Sequence, residues 1–265
     1  MSDTKNKRKA SENPFYILAT VYGEQTSPLD ADLHRQNRDV WNAWACQGLS
    51  KDEKDDLKKT YAGLIIPDWT EDLQKTVNDA FAKRLPGGPI PGRNRLIDFE
   101  NTDFEQAVDF KGFLFLKKAN FKDAQFAREA YFGDAQFTER ANFASSRFEA
   151  HSYFQQAQFS EASDFTDASF AQPANFRDAR FIKYYPILEG TNLHGKTTLT
   201  AKANHWPKVA EYSDDHDDLE KAASSCAHLR HNMTAQGLPD DAHFFFRREM
   251  GCKLAMAGGF KKLPL

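Results

Sequence analysis

The residues best suited to metal chemistry lie close together near the end of the chain. The run Asp214–Asp218 contains His216, and Cys226, His228 and His231 follow within a few helical turns. A metal site needs ligands that converge on one point, and on a helix His216 lies about 18 Å from His228 by rise alone. His228 and His231 could share an ion, but no clear third and fourth ligand accompanies them. We therefore predict no metal site, and we interpret the acidic run as a helix N-terminus, where the helix dipole favours negative charge.

The sequence lacks the common catalytic and cofactor-binding motifs. It has no G-x-S-x-G, no H-E-x-x-H and no dinucleotide-binding glycine pattern, and Gly87 and Gly88 belong to no phosphate-binding loop. Its three cysteines (Cys46, Cys226 and Cys252) form no C-x-x-C pair, which indicates free thiols in a reducing cytosol. We predict a protein that is not an enzyme, without catalytic residues, cofactor or metal.

Charge and hydropathy further restrict the ligands and the cellular location that we expect for this protein. The formal net charge is −3 with a pI near 6.3, so no general attraction to nucleic acid or to an anionic membrane follows. The sequence contains no signal peptide and no apolar run of about 18 residues. These features predict a soluble, cytoplasmic bacterial protein without direct nucleic-acid binding.

Phenylalanine organises the middle of the chain. Sixteen of the 23 phenylalanines recur in steps that alternate between five and six residues. They are Phe99, Phe104, Phe110, Phe115, Phe121, Phe126, Phe132, Phe137, Phe143, Phe148, Phe154, Phe159, Phe165, Phe170, Phe176 and Phe181. Neither a helix nor a long strand has this period. Four sides of five, six, five and six residues instead form a rectangular coil of 22 residues, and such coils stack about 4.8 Å apart.

This register predicts ladders of identical residues along the coil. Phe121 should lie directly next to Phe143, and small residues two positions before most phenylalanines should share the interior with them. The residue before each phenylalanine should point outward and also repeat every 22 residues. One outward ladder is Asp98, Asn120, Asn142 and Asp164, and another is Asp109, Tyr131, Tyr153 and Asn175. Such ladders can bond or pack along the coil axis.

The units ANFKDAQF, AYFGDAQF, ANFASSRF and ANFRDARF resemble the pentapeptide-repeat proteins. The resemblance covers residues 98 to 182 and implies a mainly β fold, a right-handed quadrilateral β-helix. The chain departs from the general pattern by using phenylalanine almost throughout and by inserting a sixth residue in every second unit, as the Phe-rich branch of that family also does. The resemblance implies a fold much more strongly than a function.

Helices are predicted on both sides of the coil, and they divide the chain into four parts. Residues 1–12 are polar, and we predict that they form a disordered tail. Residues 13–92 form a helical region and linker, with a capping box at Ser50 and Glu53 and a later cap at Asp68 or Thr70. The β-helix takes residues 93–206, including one irregular coil after Phe181. Residues 207–265 form a helical hairpin, capped at Ser213 or Asp214, with its second helix starting at Pro239.

The hairpin also resembles a helical segment that follows Phe-rich repeats in a set of bacterial proteins, through FFFRREM at Phe244–Met250. In those proteins a membrane portion often comes next. Two alternatives stay open at this point: a natural soluble form, or a fragment that lacks its membrane anchor and belongs at the cytoplasmic face of a membrane.

We predict a non-catalytic scaffold that binds another protein. The predicted partner-binding surface comprises Tyr131, Tyr153, Asn120 and Asn142. One alternative is the soluble part of a membrane-associated sensor or channel regulator. The other is a DNA-mimic inhibitor of DNA gyrase, which the resemblance implies and the sequence disfavours, because residues 98–181 carry fourteen acidic against nine interspersed basic residues. A homodimer through the helical ends is also open.

Overall fold

The structure, a computed structural model, describes residues 7–26, 28–209, 212 and 215–258. Its centre is a four-sided parallel β-helix. We number the four faces in the order in which the chain visits them. Face 1 contains β2 (Ile97–Asp98), β6 (Ala119–Asn120), β10 (Ala141–Asn142) and β14 (Ser163–Asp164). Face 2 contains β1 (Arg8–Lys9), β3 (Thr102–Phe104), β7 (Gln125–Phe126), β11 (Arg147–Phe148) and β15 (Ser169–Phe170). Face 3 contains β4 (Val108–Asp109), β8 (Ala130–Tyr131), β12 (Ser152–Tyr153), β16 (Ala174–Phe176) and β18 (Thr198–Leu199). Face 4 contains β5 (Leu114–Phe115), β9 (Gln136–Phe137), β13 (Gln158–Phe159) and β17 (Arg180–Phe181).

The phenylalanine ladders confirm the predicted register. The rings of Phe121 and Phe143 have centroids 4.8 Å apart and planes within 1° of parallel. Along all four ladders the spacing between neighbouring coils stays between 4.6 and 5.3 Å. These rings are almost completely buried, together with the small residues that precede them. Beyond Phe181 the predicted irregular coil continues the stack through bridges at Ile187 and Asn192 and through β18.

Two kinds of corner explain why the steps alternate between five and six residues. The five-residue steps follow faces 1 and 3, where each tight corner contains a residue with positive φ, such as Asp123 at 57° and Asp134 at 56°. Asparagine and aspartate tolerate this left-handed conformation better than other non-glycine residues. The six-residue steps follow faces 2 and 4, whose wider corners contain one residue more.

The N-terminal helices close one end of the coil. They are α1 (Pro14–Ala19), α2 (Ala31–Ala45), α3 (Lys51–Thr60) and α4 (Glu71–Arg84), after a 3-10 turn at Ala10–Glu12. The buried Asn42 donates to the carbonyl of Gly112 (3.1 Å) and accepts from the N–H of Leu114 (2.9 Å). Trp41 donates to the carbonyl of Leu114 at 2.9 Å. Side chains of α2 thus bond backbone groups that the first coil would otherwise leave unpaired at a sheet edge.

The start of the chain differs from the predicted tail. Residues 1–6 lie outside the described part of the chain, but Arg8 and Lys9 pair in parallel with Thr102 and Asp103. The prediction of a disordered tail through residue 12 is therefore wrong, because the polar residues Arg8 and Lys9 form a strand that adds to face 2. Of the two caps proposed for α4, Thr70 is the one used, and the capping box at Ser50 is present.

A helical pair closes the other end, as predicted. It consists of α5 (His216–Ala235) and α6 (Pro239–Met256), joined at Gly237, whose φ is 72°. Asp215 caps α5; the predicted caps Ser213 and Asp214 lie outside the described residues. Trp206, after a 3-10 turn at Ala203–His205, packs between Phe181 and Phe245 with both centroid distances at 4.9 Å. No helix in the described part of the chain is long and apolar enough to cross a membrane.

Candidate binding surface on the coil

Tyr131 and Tyr153 form a stacked pair in the middle of face 3. Their strands β8 and β12 are neighbours in register, and their ring centroids lie 4.7 Å apart with planes 8° from parallel. Both residues are partly exposed, and the exposed His151 lies beside the pair with its ring 6.2 Å from that of Tyr153. The pair forms an aromatic patch on an otherwise polar face.

The other residues at this repeat position have a different role. On faces 1 and 3, the residue before the phenylalanine is usually aspartate or asparagine, and its side-chain oxygen accepts a hydrogen bond from the backbone N–H two residues later. This bond occurs at Asp98 (3.0 Å), Asp109 (3.2 Å), Asn120 (3.2 Å), Asn142 (3.0 Å), Asp164 (3.1 Å) and Asn175 (3.0 Å). It stabilises the tight corner that follows. Tyr131 and Tyr153 occupy the same position and have no short side-chain oxygen with which to make this bond.

The surroundings of Tyr131 keep its hydroxyl neutral. Burial raises the pKa of Tyr131 above its ordinary value of 10.0, and Tyr153, Glu129 and Asp109 raise it further. A neutral phenol can both donate and accept a hydrogen bond. Beside Tyr131, on β4, the carboxylate of Asp109 lies 3.0 Å from Nδ1 of His34 in α2.

The two predicted asparagines lie on a different face from the tyrosines. Asn120 and Asn142 belong to face 1, which is opposite face 3 because the chain visits the faces in order. Asn142 donates to Oδ1 of Asn120 at 3.1 Å, and Asn120 donates to Glu100 at 3.0 Å. The four residues predicted as one surface are therefore not brought together, and the polar groups of the asparagines already have partners within the coil.

Charged side chains on the coil form ion pairs between successive turns. Lys117 lies 3.2 Å from Glu139, Lys183 lies 3.1 Å from Glu161, and Arg140 lies 2.7 Å from Asp164. These pairs are partly exposed, so each contributes little to stability. They interrupt the acidic surface with cations, which disfavours the DNA-mimic alternative.

One group of residues has the spacing of metal ligands. His216, Asp217 and Glu220 offer ligand atoms within 4.8 Å of one another, and all three are exposed. Sequence reasoning considered His216 and the acidic run but not Glu220, although positions i and i+4 of a helix share a face. These three residues lie in the first turns of α5, where the helix dipole favours acidic side chains even without a metal ion. We therefore assign no metal to them.

The coil interior is filled with aromatic rings, and the larger clefts lie where the helices meet its outside. A cleft of about 470 Å³ separates α3 from the corner at Leu116 and Lys117. Another of about 610 Å³ lies between Lys118, Tyr184 and the start of α5. In both, several lining carboxylates take part in ion pairs or helix caps, and no nucleophile with an adjacent base is apparent among the lining residues.

The architecture defines a class of protein, the parallel β-solenoids with short repeats and capped ends. The comparison with protein families is more specific. A family model described as "Pentapeptide repeats (9 copies)" matches residues 99–147, 110–158 and 154–201. Residues 99–201 thus match the pentapeptide-repeat model, as the resemblance predicted. A comparison with curated proteins finds no match, and neither does a comparison with solved structures.

Proposed function

We propose that this protein is a non-catalytic scaffold that binds another protein through face 3, with Tyr131 and Tyr153 at the centre of the contact. The observation that carries the proposal is the change in the repeat at these two positions. Six of the eight equivalent residues on faces 1 and 3 stabilise their own corner. The two that do not are adjacent, stacked and accessible.

The energies support a role beyond the fold. A hydrogen bond of this kind contributes about 0.5–1.5 kcal/mol, and two such bonds are absent. One aromatic stack contributes about 0.5–1.5 kcal/mol beyond the area that it buries. The stacking term alone therefore gives no more stability than the two missing bonds would supply. Tyrosines that add little to folding but present rigid aromatic area are typical of protein interfaces.

The rest of the structure suits such a role. The stacked rings inside the coil and the helices at both ends hold face 3 rigid, so a partner would meet a surface that needs little ordering on binding. The hydroxyls of Tyr131 and Tyr153 can orient the partner through hydrogen bonds, and His151 extends the aromatic area along the coil.

The double variant Tyr131→Asn/Tyr153→Asn tests this proposal without a large change in the fold, because asparagine restores the usual residue of the repeat. The matched control is Asn120→Ser/Asn142→Ser on face 1, where serine can still accept from the backbone. The 265-residue chain and both variants are immobilised, and partners are captured from a lysate of the source organism. The affinity of the captured protein is then measured by calorimetry.

We expect the tyrosine variant to bind the captured partner at least about tenfold more weakly than the wild type, which is about 1.4 kcal/mol. The face 1 variant should bind like the wild type. Binding that survives in the tyrosine variant and is lost in the asparagine variant would move the surface to face 1.

A further inference from the structure

The edge of face 2 carries a strand that comes from outside the repeats. Strand β1 pairs in parallel with β3, with Arg8 opposite Thr102 and Lys9 opposite Asp103. The backbone N–H of Arg8 donates to the carbonyl of Asn101 at 2.9 Å. A short extended segment is thus added to the sheet through main-chain hydrogen bonds, which is how many proteins bind peptides at a sheet edge.

The side chains of this strand are basic and the face on which they lie is acidic. Nζ of Lys7 donates to Oε1 of Gln125 on the next coil at 2.6 Å. Partial burial lowers the pKa of Lys7, and the carboxylates of Asp103, Asp123 and Glu149 act in the opposite direction. The guanidinium of Arg147 is an opposing cation on this face and lowers the pKa of Lys7. Face 2 therefore complements a basic segment in charge as well as in backbone geometry.

Strand β1 is held less firmly than the chain that follows it. It contributes a ladder of two residues, and its ion pair from Arg8 to Asp98 is 4.0 Å long with both side chains more than one-third exposed. Exposed pairs of this kind contribute little. The next residues are anchored: Ala10 is buried, and the fully buried Asn13 donates to the carbonyl of Asp98 and to Oγ1 of Thr102. Local opening should therefore release Lys7–Lys9 and stop at Ala10.

We propose that the edge of face 2 beside β3 is a binding site for an extended basic segment of another polypeptide, and that residues Lys7–Lys9 occupy this site in cis. A partner segment would add parallel to β3, with a lysine or arginine placed where Lys7 now contacts Gln125. The site lies on a different face from the tyrosine pair and does not depend on it.

The test uses the 265-residue chain with strand β1 weakened, and a fluorescent peptide of sequence TKNKRKASE, which is residues 4–12. Arg8→Pro removes the N–H that bonds Asn101, and the triple variant Lys7→Glu/Arg8→Glu/Lys9→Glu reverses the charge of the strand. Fluorescence anisotropy should show the peptide binding to both opened variants at least about tenfold more tightly than to the wild type. Adding Asp103→Lys to either variant should abolish the gain, and Tyr131→Asn/Tyr153→Asn should have no effect.

Two results would overturn the proposal. The first is a triple variant with a wild-type melting curve, in which the amide of residue 8, bonded to Asn101 in the wild type, exchanges as in an unfolded chain but the peptide does not bind. The second is equal binding of a control peptide with proline in place of the arginine, because that peptide keeps most of the charge but cannot form the ladder.

Discussion

The side chain of Asn42 connects α2 and the loop after α3 to the first coil, and its replacement by leucine tests how the end of the coil is closed. The side chain is fully buried and makes three hydrogen bonds to backbone groups. It donates to the carbonyls of Ile65 (2.9 Å) and Gly112 (3.1 Å), and it accepts from the N–H of Leu114 (2.9 Å). Leucine is similar in size, so the main change is the loss of these three partners.

The expected loss follows from the number of groups left unpaired. A buried donor or acceptor without a partner costs about 1–3 kcal/mol, and Asn42→Leu creates three of them, two in the first coil and one in the loop after α3. Partial access of water to the carbonyls would reduce their contribution. We therefore expect the free energy of unfolding to fall by about 3–6 kcal/mol, which is a large part of the stability of an ordinary domain.

Urea unfolding of the 265-residue chain, followed by circular dichroism, measures this loss. The matched control is Asn78→Leu, the same substitution at an exposed position of α4, which should change stability by less than about 0.5 kcal/mol. A loss below about 1 kcal/mol for Asn42→Leu, with an unchanged slope against urea, would refute the reasoning that side-chain amides replace a missing strand at this edge.

Three further predictions concern the coil interior, α6 and the thiols. Phe143→Ala, which removes a ring stacked between Phe121 and Phe165, should lower the free energy of unfolding by about 3–5 kcal/mol in the same urea assay. Burial alone would raise the pKa of Glu249, but the bonds from Lys253 and Arg230 outweigh burial and hold this pKa below 4.5. The stabilising contribution of the Glu249 carboxylate is therefore present above about pH 4.5 and lost as the pH falls further. Glu249→Gln should accordingly flatten the dependence of the melting temperature on pH below about 5. Burial raises the pKa of Cys46 and of Cys252 to about 11, so both thiols should react with a disulfide reagent at pH 7 far more slowly in the native protein than in urea.

The coil could be predicted from the sequence because its interior repeats without exception. Each phenylalanine fills an equivalent place, so the spacing of Phe99, Phe104, Phe110 and Phe115 defines the four sides, and their recurrence after 22 residues defines the stack. The helix ends could be predicted where one local interaction determines them, as at Ser50 and Gly237. Strand β1 could not, because two residues have no detectable period and their partner, β3, lies more than 90 residues away.

The candidate surface was predicted only in part. The exposed tyrosine ladder follows from the 22-residue register, and the structure has it stacked. The sequence also shows that Tyr131 and Tyr153 depart from the repeat, since aspartate or asparagine precedes the phenylalanine at the other equivalent positions of faces 1 and 3. Recognising it required the hydrogen bond to the following corner, which the structure supplies. The pairing of His34 with Asp109 depends on how α2 packs and has no signal in the local sequence.

The closed ends of the coil determine how its length can change during evolution or design. The first coil is hydrogen-bonded to Asn42 and Trp41, and the last coil packs on Trp206. A new coil appended at either end would therefore lose these contacts. A duplication within the middle of the coil, by contrast, would place each phenylalanine on an identical one and each aspartate in an identical corner. Lengthening should therefore proceed by internal duplication of whole 22-residue units, each extending the protein by about 4.8 Å, whereas an insertion of one residue would rotate every later side chain onto the wrong face.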